Sequence, residues 1–503
     1  LFVAVFTGSF QLFKRLENTT WPIVGGRSRG INVRNLGLSV FTFLPLLMSM
    51  LAHSPRKPQL MVFVTCVAVA YFAFHLLEKL RRRIFGFVVT MLLVFSAINA
   101  AYFHVVGNSI GYQVFASILE TNVSEATEFA DSPSFRRFLL AFGVLLVVFL
   151  GFFCMTKNLV RGGRFVSSGF VNAAVMAVGI SCPFTLARSK NFSIWDCYPT
   201  KEINQATRYF FEVSMKVRQY RESTYRFEGR IDEEKACTAI LVIGESAQRD
   251  RHGIYSNGVE TTPHLERLAR QSPERVVAFS DATAISIFTR VSVPSLLSVS
   301  PAKNFDQLVE RPSILRILKS AGLESVLISN QAKCGVDDNL TSAIMEDAVR
   351  STYLQDVRGV FDKDSEDVEV GYDEAVVPML LRELSDRSVK SKLIIVHLMG
   401  SHIDYKLRYP KGHAFFKPSN IENDYQNSIR YTDHVLKQIA DAMMQVDRPA
   451  FMLYASDHGE YLNEMGDGIY GRGVRNGLTR FEIDVPFLFI FNERFQNARK
   501  LEV

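Results

Sequence analysis

Residues 240–258 read ILVIGESAQRDRHGIYSNG, and the break inside that stretch decides the fold. Ile240, Leu241, Val242 and Ile243 are consecutive apolar residues, three of them β-branched, and Gly244 ends the run. So short an apolar run, stopped by glycine, is a strand buried on both faces, which is the habit of parallel sheets. A bare Glu245 and Ser246 follow at its tip. A carboxylate there is either a solvated loop residue or a placed ligand, and the rest of the chain has to decide between them.

Working outward, the same unit recurs. Short buried runs SVLISN (325–330), KLIIVHLMG (392–400), FMLYASDHG (451–459) and VPFLFIF (485–491) alternate with amphipathic stretches. Those stretches are TTPHLERLARQ (261–271), PSILRILKSAG (312–322), YDEAVVPMLLRELSD (372–386) and YQNSIRYTDHVLKQIADAMM (425–444). From Cys237 the pattern therefore predicts an α/β domain over 237–503 with a mostly parallel sheet. Ligands of such sheets collect beyond the carboxyl ends of the strands. There the sequence places Gly244-Glu245-Ser246, His397 to His402, and Ser456-Asp457-His458-Gly459-Glu460. Carboxylates and imidazoles from separate strands suit Zn²⁺, and Mn²⁺ after it. The hydroxyl-rich segment AFSDATAISIFTRVSVPSLLS (278–298) offers Thr283, Ser286, Thr289 and Ser292 as nucleophiles at a helix start.

The first part of the chain is of another kind. The overall figures of 48% hydrophobic residues and 40 Phe hide two populations, and before residue 190 lie long apolar runs over about 37–53, 59–77, 84–105, 138–156 and 165–187. Each is long enough, or nearly so, to cross about 30 Å of hydrocarbon. Lys14, Arg15, Arg27, Arg29, Arg34, Lys79, Arg81, Arg82, Arg83, Lys157, Arg161 and Arg164 fall on one side of these runs. Arg56, Lys57, Arg136 and Arg137 fall on the other, so the N-terminus is expected in the cytoplasm and everything after about residue 190 outside. The net charge of +6 follows this topology and is no nucleic-acid signature. The expected division is a membrane domain over 1–189 with five transmembrane helices, a linker over 190–236 with a helix at 201–222, and the outward domain. No cleaved signal peptide is expected, because no short apolar run precedes a small-residue cleavage site. Residues 106–132 suggest a helix lying on the outer membrane surface. Cys66, Cys154 and Cys182 fall in the runs, and Cys197, Cys237 and Cys334 allow at most one disulfide and no metal motif.

In this order, Gly-Glu-Ser, a Thr-rich helix start ending in SVP, HLMGSH and SDHGE after five spans, the chain resembles the phosphoethanolamine transferases of the alkaline phosphatase superfamily. These modify bacterial lipopolysaccharide from the periplasmic side. The resemblance implies a multi-span α-helical membrane domain in the bacterial inner membrane, followed by an α/β alkaline-phosphatase-like catalytic domain in the periplasm. It implies phosphatidylethanolamine as donor, lipopolysaccharide or another envelope glycan as acceptor, and a monomer that binds no nucleic acid. It makes Glu245, Asp457 and His458 zinc ligands, with the nucleophilic threonine completing the set. His402 would handle phosphate or a proton, and Ser117, Thr121 and Glu125 would line the donor headgroup site. Their i, i+4, i+8 spacing puts these three on one helix face.

Two departures direct the reading further. An ungapped match to the lipid A branch puts the nucleophile at Ile287, which cannot attack; a match to the Pro-Tyr-Thr element of the core-modifying branch puts it at Thr289, preceded by Phe288. In EYLNEMGDGIYGRGVRNG (460–477), Arg472 stands nearest the place of a family histidine. It could pair with phosphate but neither ligate a metal nor carry a proton at neutral pH. The first departure favours the core-modifying branch over the lipid A branch, and the second favours a core-sugar, glucan or other acceptor; the expected acceptor is a lipopolysaccharide core sugar or lipid A. The rivals are a glycerolphosphate transferase of the lipoteichoic-acid-synthase type and an inactive membrane-anchored protein. A sulfatase activity is disfavoured, since no Cys/Ser-x-Pro-x-Arg element occurs in the nucleophile segment.

Overall fold

The computed structural model describes residues 67, 70–71, 94, 97–98, 100–102, 130, 135–147 and 200–500, the last apart from 226, 230–231, 256–257, 299–310, 334–339, 358–370, 389–390, 467–469 and 472–477. The chain divides into two compact units, Leu1–Ser109 with Arg137–Lys201, and Ile110–Arg136 with Glu202–Val503. The expected spans 37–53 and 165–187 lie outside the described residues, and the other three are described only in part. Among the described residues no helix is long and apolar enough to cross a membrane.

Residues 135–147 are helical, from 137 onward within the first unit. Ala97, Ala100 and Ala101 pack with Leu145, Phe138, Ala141 and Phe142. Residues 138, 141, 142 and 145 are one helical stripe, while Leu139, Leu140, Val144 and Val147 are exposed. Four of the seven packed residues are alanine while large apolar residues face outward, which inverts the pattern of a helix in water.

The second unit carries a seven-stranded sheet in the order β2-β7-β6-β1-β5-β3-β4. The strands are β1 (Thr238–Gly244), β2 (Val276–Ala278), β3 (Glu324–Ser329), β4 (Arg350–Tyr353), β5 (Lys392–His397), β6 (Ala450–Ser456) and β7 (Phe487–Phe491). The five neighbours β6, β1, β5, β3 and β4 are parallel, whereas β7 pairs antiparallel with both β6 and β2. The helices of six or more residues after residue 199 are α1 (Thr200–Glu222), α2 (Pro263–Gln271), α3 (Thr289–Leu296), α4 (Ile314–Ser320), α5 (Leu340–Met345), α6 (Val377–Ser385), α7 (Ile421–Met444) and α8 (Glu493–Arg499) among the described residues.

The period of two along each strand sorts these helices into two layers. Ile240 and Val242 of β1, with Ile394 and Val396 of β5, face Leu265, Leu380, Val435 and Leu436 of α2, α6 and α7. Ile243, Leu393 and Ile395 face Val217, Val293, Leu315 and Ile344 of α1, α3, α4 and α5. The central strands therefore have no polar side, which is why they read as continuous apolar runs. Cys237 is a free thiol; Cys197 and Cys334 lie outside the described residues.

Candidate metal centre

Strand register brings the separated motifs together. Gly244 of β1 is level with Ser456 of β6, and Ile243 with His397 of β5. Neighbouring strands are about 4.8 Å apart, so residues one step past these ends meet. Asp457 N–H continues the ladder, donating to Gly244 O at 3.1 Å. Glu245, Asp457 and His458 result as a group whose ligand atoms all lie within 4.8 Å of one another. They are 1%, 3% and 0% exposed, which settles the opening question against a solvated tip for Glu245.

The chain turns sharply here, and buried polar groups hold the turn. Ser246 has φ 57°, a left-handed conformation that a non-glycine residue adopts only at a cost. Its carbonyl accepts from Tyr425 Oη at 2.7 Å, and the same hydroxyl accepts from Gln248 N–H at 2.8 Å. Ala247 N–H donates to Ser456 Oγ at 2.8 Å. From β5, Ser401 N–H donates to Glu245 O at 2.9 Å. Gly400, at φ +53°, lies so close that a Cβ would stand 2.8 Å from Glu245 N and O. Asp373 fixes this loop by accepting from Met399 N–H, Gly400 N–H and Asn330 Nδ2 at 2.7, 2.8 and 2.8 Å. Burial nonetheless pushes its carboxyl above the usual range.

Within the group, His458 Nδ1 is 2.8 Å from Gly459 O. A carbonyl only accepts, so Nδ1 carries the proton and Nε2 turns to the carboxylates. It lies 3.2 Å from Glu245 Oε1 and 3.3 Å from Asp457 Oδ2. An imidazole nitrogen facing two buried carboxylate oxygens calls for a positive charge between them. One histidine and two carboxylates make a donor set that fits Zn²⁺.

Thr289 is the first residue of α3. Its Oγ1 is 3.0 Å from Glu245 Oε2 and 3.3 Å from His458 Nε2. Of the other hydroxyl candidates, two bond nearby backbone. Thr283 forms a bridge with Asp484. Ser286 Oγ accepts from Phe288 N–H at 3.2 Å, and Ser292 Oγ donates to Ser286 O at 2.8 Å. His402 is half-buried in the loop after Gly400, with Nδ1 2.9 Å from Ile403 O, and is not one of the three grouped residues. Ser117, Thr121, Glu125 and Arg472 lie outside the described residues. Gln331 was not anticipated: Nε2 donates to Leu398 O at 2.9 Å and lies 3.4 Å from Glu245 Oε2. Its one signal in the sequence is its place just past SVLISN, at the carboxyl end of β3.

Comparison with known proteins agrees with this architecture. The chain is 31% identical over 273 residues to the phosphoethanolamine transferase EptC of Escherichia coli O18:K1:H7, covering 52% of this chain and 46% of that protein. The chain thus spans about half the length of the EptC relatives it matches. A Kdo(2)-lipid A phosphoethanolamine 7''-transferase of Salmonella typhimurium is 24% identical, over 85% of this chain and 79% of its own length. The integral membrane lipooligosaccharide phosphoethanolamine transferase A of Neisseria meningitidis shares the fold, with a TM-score of 0.69 at 16% identity over 94% of this chain and 91% of that one. A family model described as Sulfatase matches residues 238–503, and the chain belongs to the sulfatase family.

Proposed function

We propose that this protein transfers phosphoethanolamine from phosphatidylethanolamine to a lipopolysaccharide core sugar at the outer face of the bacterial inner membrane, through a phosphoethanolamine ester on Thr289. The observation that carries the reading is the Thr289 hydroxyl, 3.0 Å from Glu245 Oε2 and 3.3 Å from His458 Nε2, at the carboxyl edge of the sheet. A relative named as a phosphoethanolamine transferase, 31% identical over 273 residues, supports the transferred group. The helix at 135–147, apolar on its outward face, supports a membrane location.

Glu245, Asp457 and His458 would hold Zn²⁺, with Thr289 beside it. Bound zinc supplies a Lewis acid that stabilises negative charge on the transferring oxygens and favours the ionised threonine. Thr289 Oγ attacks the phosphorus of the donor, the bond to the glycerol oxygen breaks, and diacylglycerol leaves with a proton. His402, on the loop that crosses Glu245, is the proposed source of that proton. An acceptor hydroxyl then attacks the same phosphorus and gives its proton to His402, the bond from phosphorus to Thr289 Oγ breaks and the ionised threonine is regenerated, so the reaction is ping-pong. Ser117, Thr121 and Glu125 would hold the donor headgroup, and Arg472 would pair with phosphate. The core-sugar acceptor rests on Phe288-Thr289 and Arg472.

The test is mass spectrometry of lipid A, core oligosaccharide and periplasmic glucans from cells expressing wild type or Thr289→Ala. The expected result is one phosphoethanolamine on the core fraction, lost in the variant. An addition that survives Thr289→Ala, or no addition in any fraction, would overturn the proposal.

A further inference from the structure

The helix that supplies the nucleophile is weak by itself. α3 has eight residues, and no side chain caps its N-cap residue Phe288. Pro294 inside it has no N–H, so the helical bond that Arg290 C=O would accept from position 294 cannot form. Three of its residues, Thr289, Val291 and Val293, are β-branched. Something outside α3 must fix its first turn.

That support comes from α1, which at first sight only tethers the two units. Tyr209, Val213, Val217 and Tyr220 form one stripe along it, and Val213, Val217 and Tyr220 pack in the same core as Val293 and Leu297 of α3. The C-terminal end of α1 is pinned. Tyr220 donates to Asp347, and Arg316 lies 4.2 Å over the Tyr220 ring while bonding Asp347 Oδ1 at 3.1 Å. Eleven residues earlier, about 16 Å along the helix, Tyr209 meets the nucleophile's neighbours. The Arg290 guanidinium lies 5.5 Å from the Tyr209 ring centre and 4.3 Å from that of Phe288. Thr289 is thus bracketed by two residues whose side chains are stacked together and held from α1.

We infer that Tyr209 is a positioning residue for the transfer reaction, holding Arg290 against Phe288 and thereby fixing where Thr289 Oγ1 stands relative to Glu245 and His458. This rests on Thr289 being the nucleophile. The contact acts on the attack itself and not on donor binding. Loss of one partly buried cation–π contact corresponds to about fivefold in rate.

The experiment uses the full chain, zinc-loaded, in micelles containing phosphatidylethanolamine, and follows phosphoethanolamine on Thr289 by quenched-flow mass spectrometry. Tyr209→Ala is expected to slow adduct formation about fivefold, with KM for the lipid and bound zinc unchanged. Tyr209→Phe, which keeps the ring, restores the rate, and Arg290→Lys, which loses the planar stack, does not. A wild-type rate in Tyr209→Ala, a change confined to KM, or no rescue by Tyr209→Phe would overturn the inference alone. No adduct on Thr289 in the wild type would overturn the nucleophile reading and the inference with it.

Discussion

Gly400 offers a perturbation whose size follows from the structure. At φ +53° it adopts a conformation that costs an alanine about 1 kcal/mol. An added Cβ would stand 2.8 Å from both Glu245 N and Glu245 O, against 3.4 Å for ordinary contact, so the Glu245 backbone must retreat by about 0.6 Å. Ser401 N–H, bonded to Glu245 O at 2.9 Å, resists that movement. Overpacking of this kind adds about 1–3 kcal/mol, for a total loss in Gly400→Ala of about 2–4 kcal/mol. The larger effect falls on turnover, because a 1 Å misplacement at a reacting centre costs about 10²-fold. We expect a 10- to 100-fold lower rate per folded molecule, with weaker zinc binding. Gly322 is the control: its φ is +82° and an added Cβ meets nothing within 4 Å. Gly322→Ala should lose about 1 kcal/mol and no turnover. Urea unfolding gives the stability, and phosphatidylethanolamine consumption with zinc titration gives the site. Wild-type turnover in Gly400→Ala, or equal losses in both variants, would refute the reasoning.

Tyr425→Phe removes the hydroxyl that donates to Ser246 O at 2.7 Å and accepts from Gln248 N–H at 2.8 Å. Two backbone groups lose their partner, and unfolding free energy should drop by about 2–4 kcal/mol; a loss below about 1 kcal/mol would mean that the Glu245 turn needs no such support. Asp433 caps α2 by accepting from His264 and Leu265 N–H at 2.9 and 3.0 Å. Burial pushes its carboxyl up from 3.8 to about 7. The folded state then binds this proton more tightly than the unfolded one, so the stability it contributes is full below pH 3.8 and is lost as pH rises towards 7. Asp433→Asn should flatten that part of the profile of unfolding midpoint against pH, and an identical slope in both proteins would exclude Asp433 as its source.

The sequence made the sheet legible because the central strands are buried on both faces. Ile240–Ile243, Leu393–Val396 and Val326–Ile328 carry no polar residue to interrupt the run. The strand that escaped is short and peripheral: β4 reads Arg-Ser-Thr-Tyr, half-exposed, and pairs with β3. Glu245, Asp457 and His458 stood out because each lies just past a strand end, where parallel register alone decides their meeting. Density of hydroxyls could not choose among Thr283, Ser286, Thr289 and Ser292. That choice depends on where α3 begins, and no cap residue marks it. Tyr425, Asp373 and Gln331 stayed hidden for a different reason. They hold backbone or a neighbouring side chain 26 to 179 residues away from themselves, and no local pattern signals such a task.

Local hydrogen bonds explain why the side-chain atoms of Glu245, Asp457 and His458 point where they do. Asp457 spends Oδ1 on the N–H groups of Ser246 and His458, at 3.1 and 2.8 Å, and turns Oδ2 toward His458 Nε2. His458 ties Nδ1 to Gly459 O and turns Nε2 inward. Glu245 takes the Ser246 hydroxyl on Oε1 at 2.7 Å and presents Oε2 to Thr289. In each side chain one heteroatom is bound to its own turn, which sets the direction of the other. Orientation is therefore established by folding, before any cation or substrate arrives, and little reorganisation is left for the chemical step. The one member of the site without such a local tether is Thr289, whose position depends on a short helix and on the packing of α1 behind it. By this reasoning the carboxylates and imidazole tolerate distant changes in the scaffold, while the placement of the nucleophile responds to them.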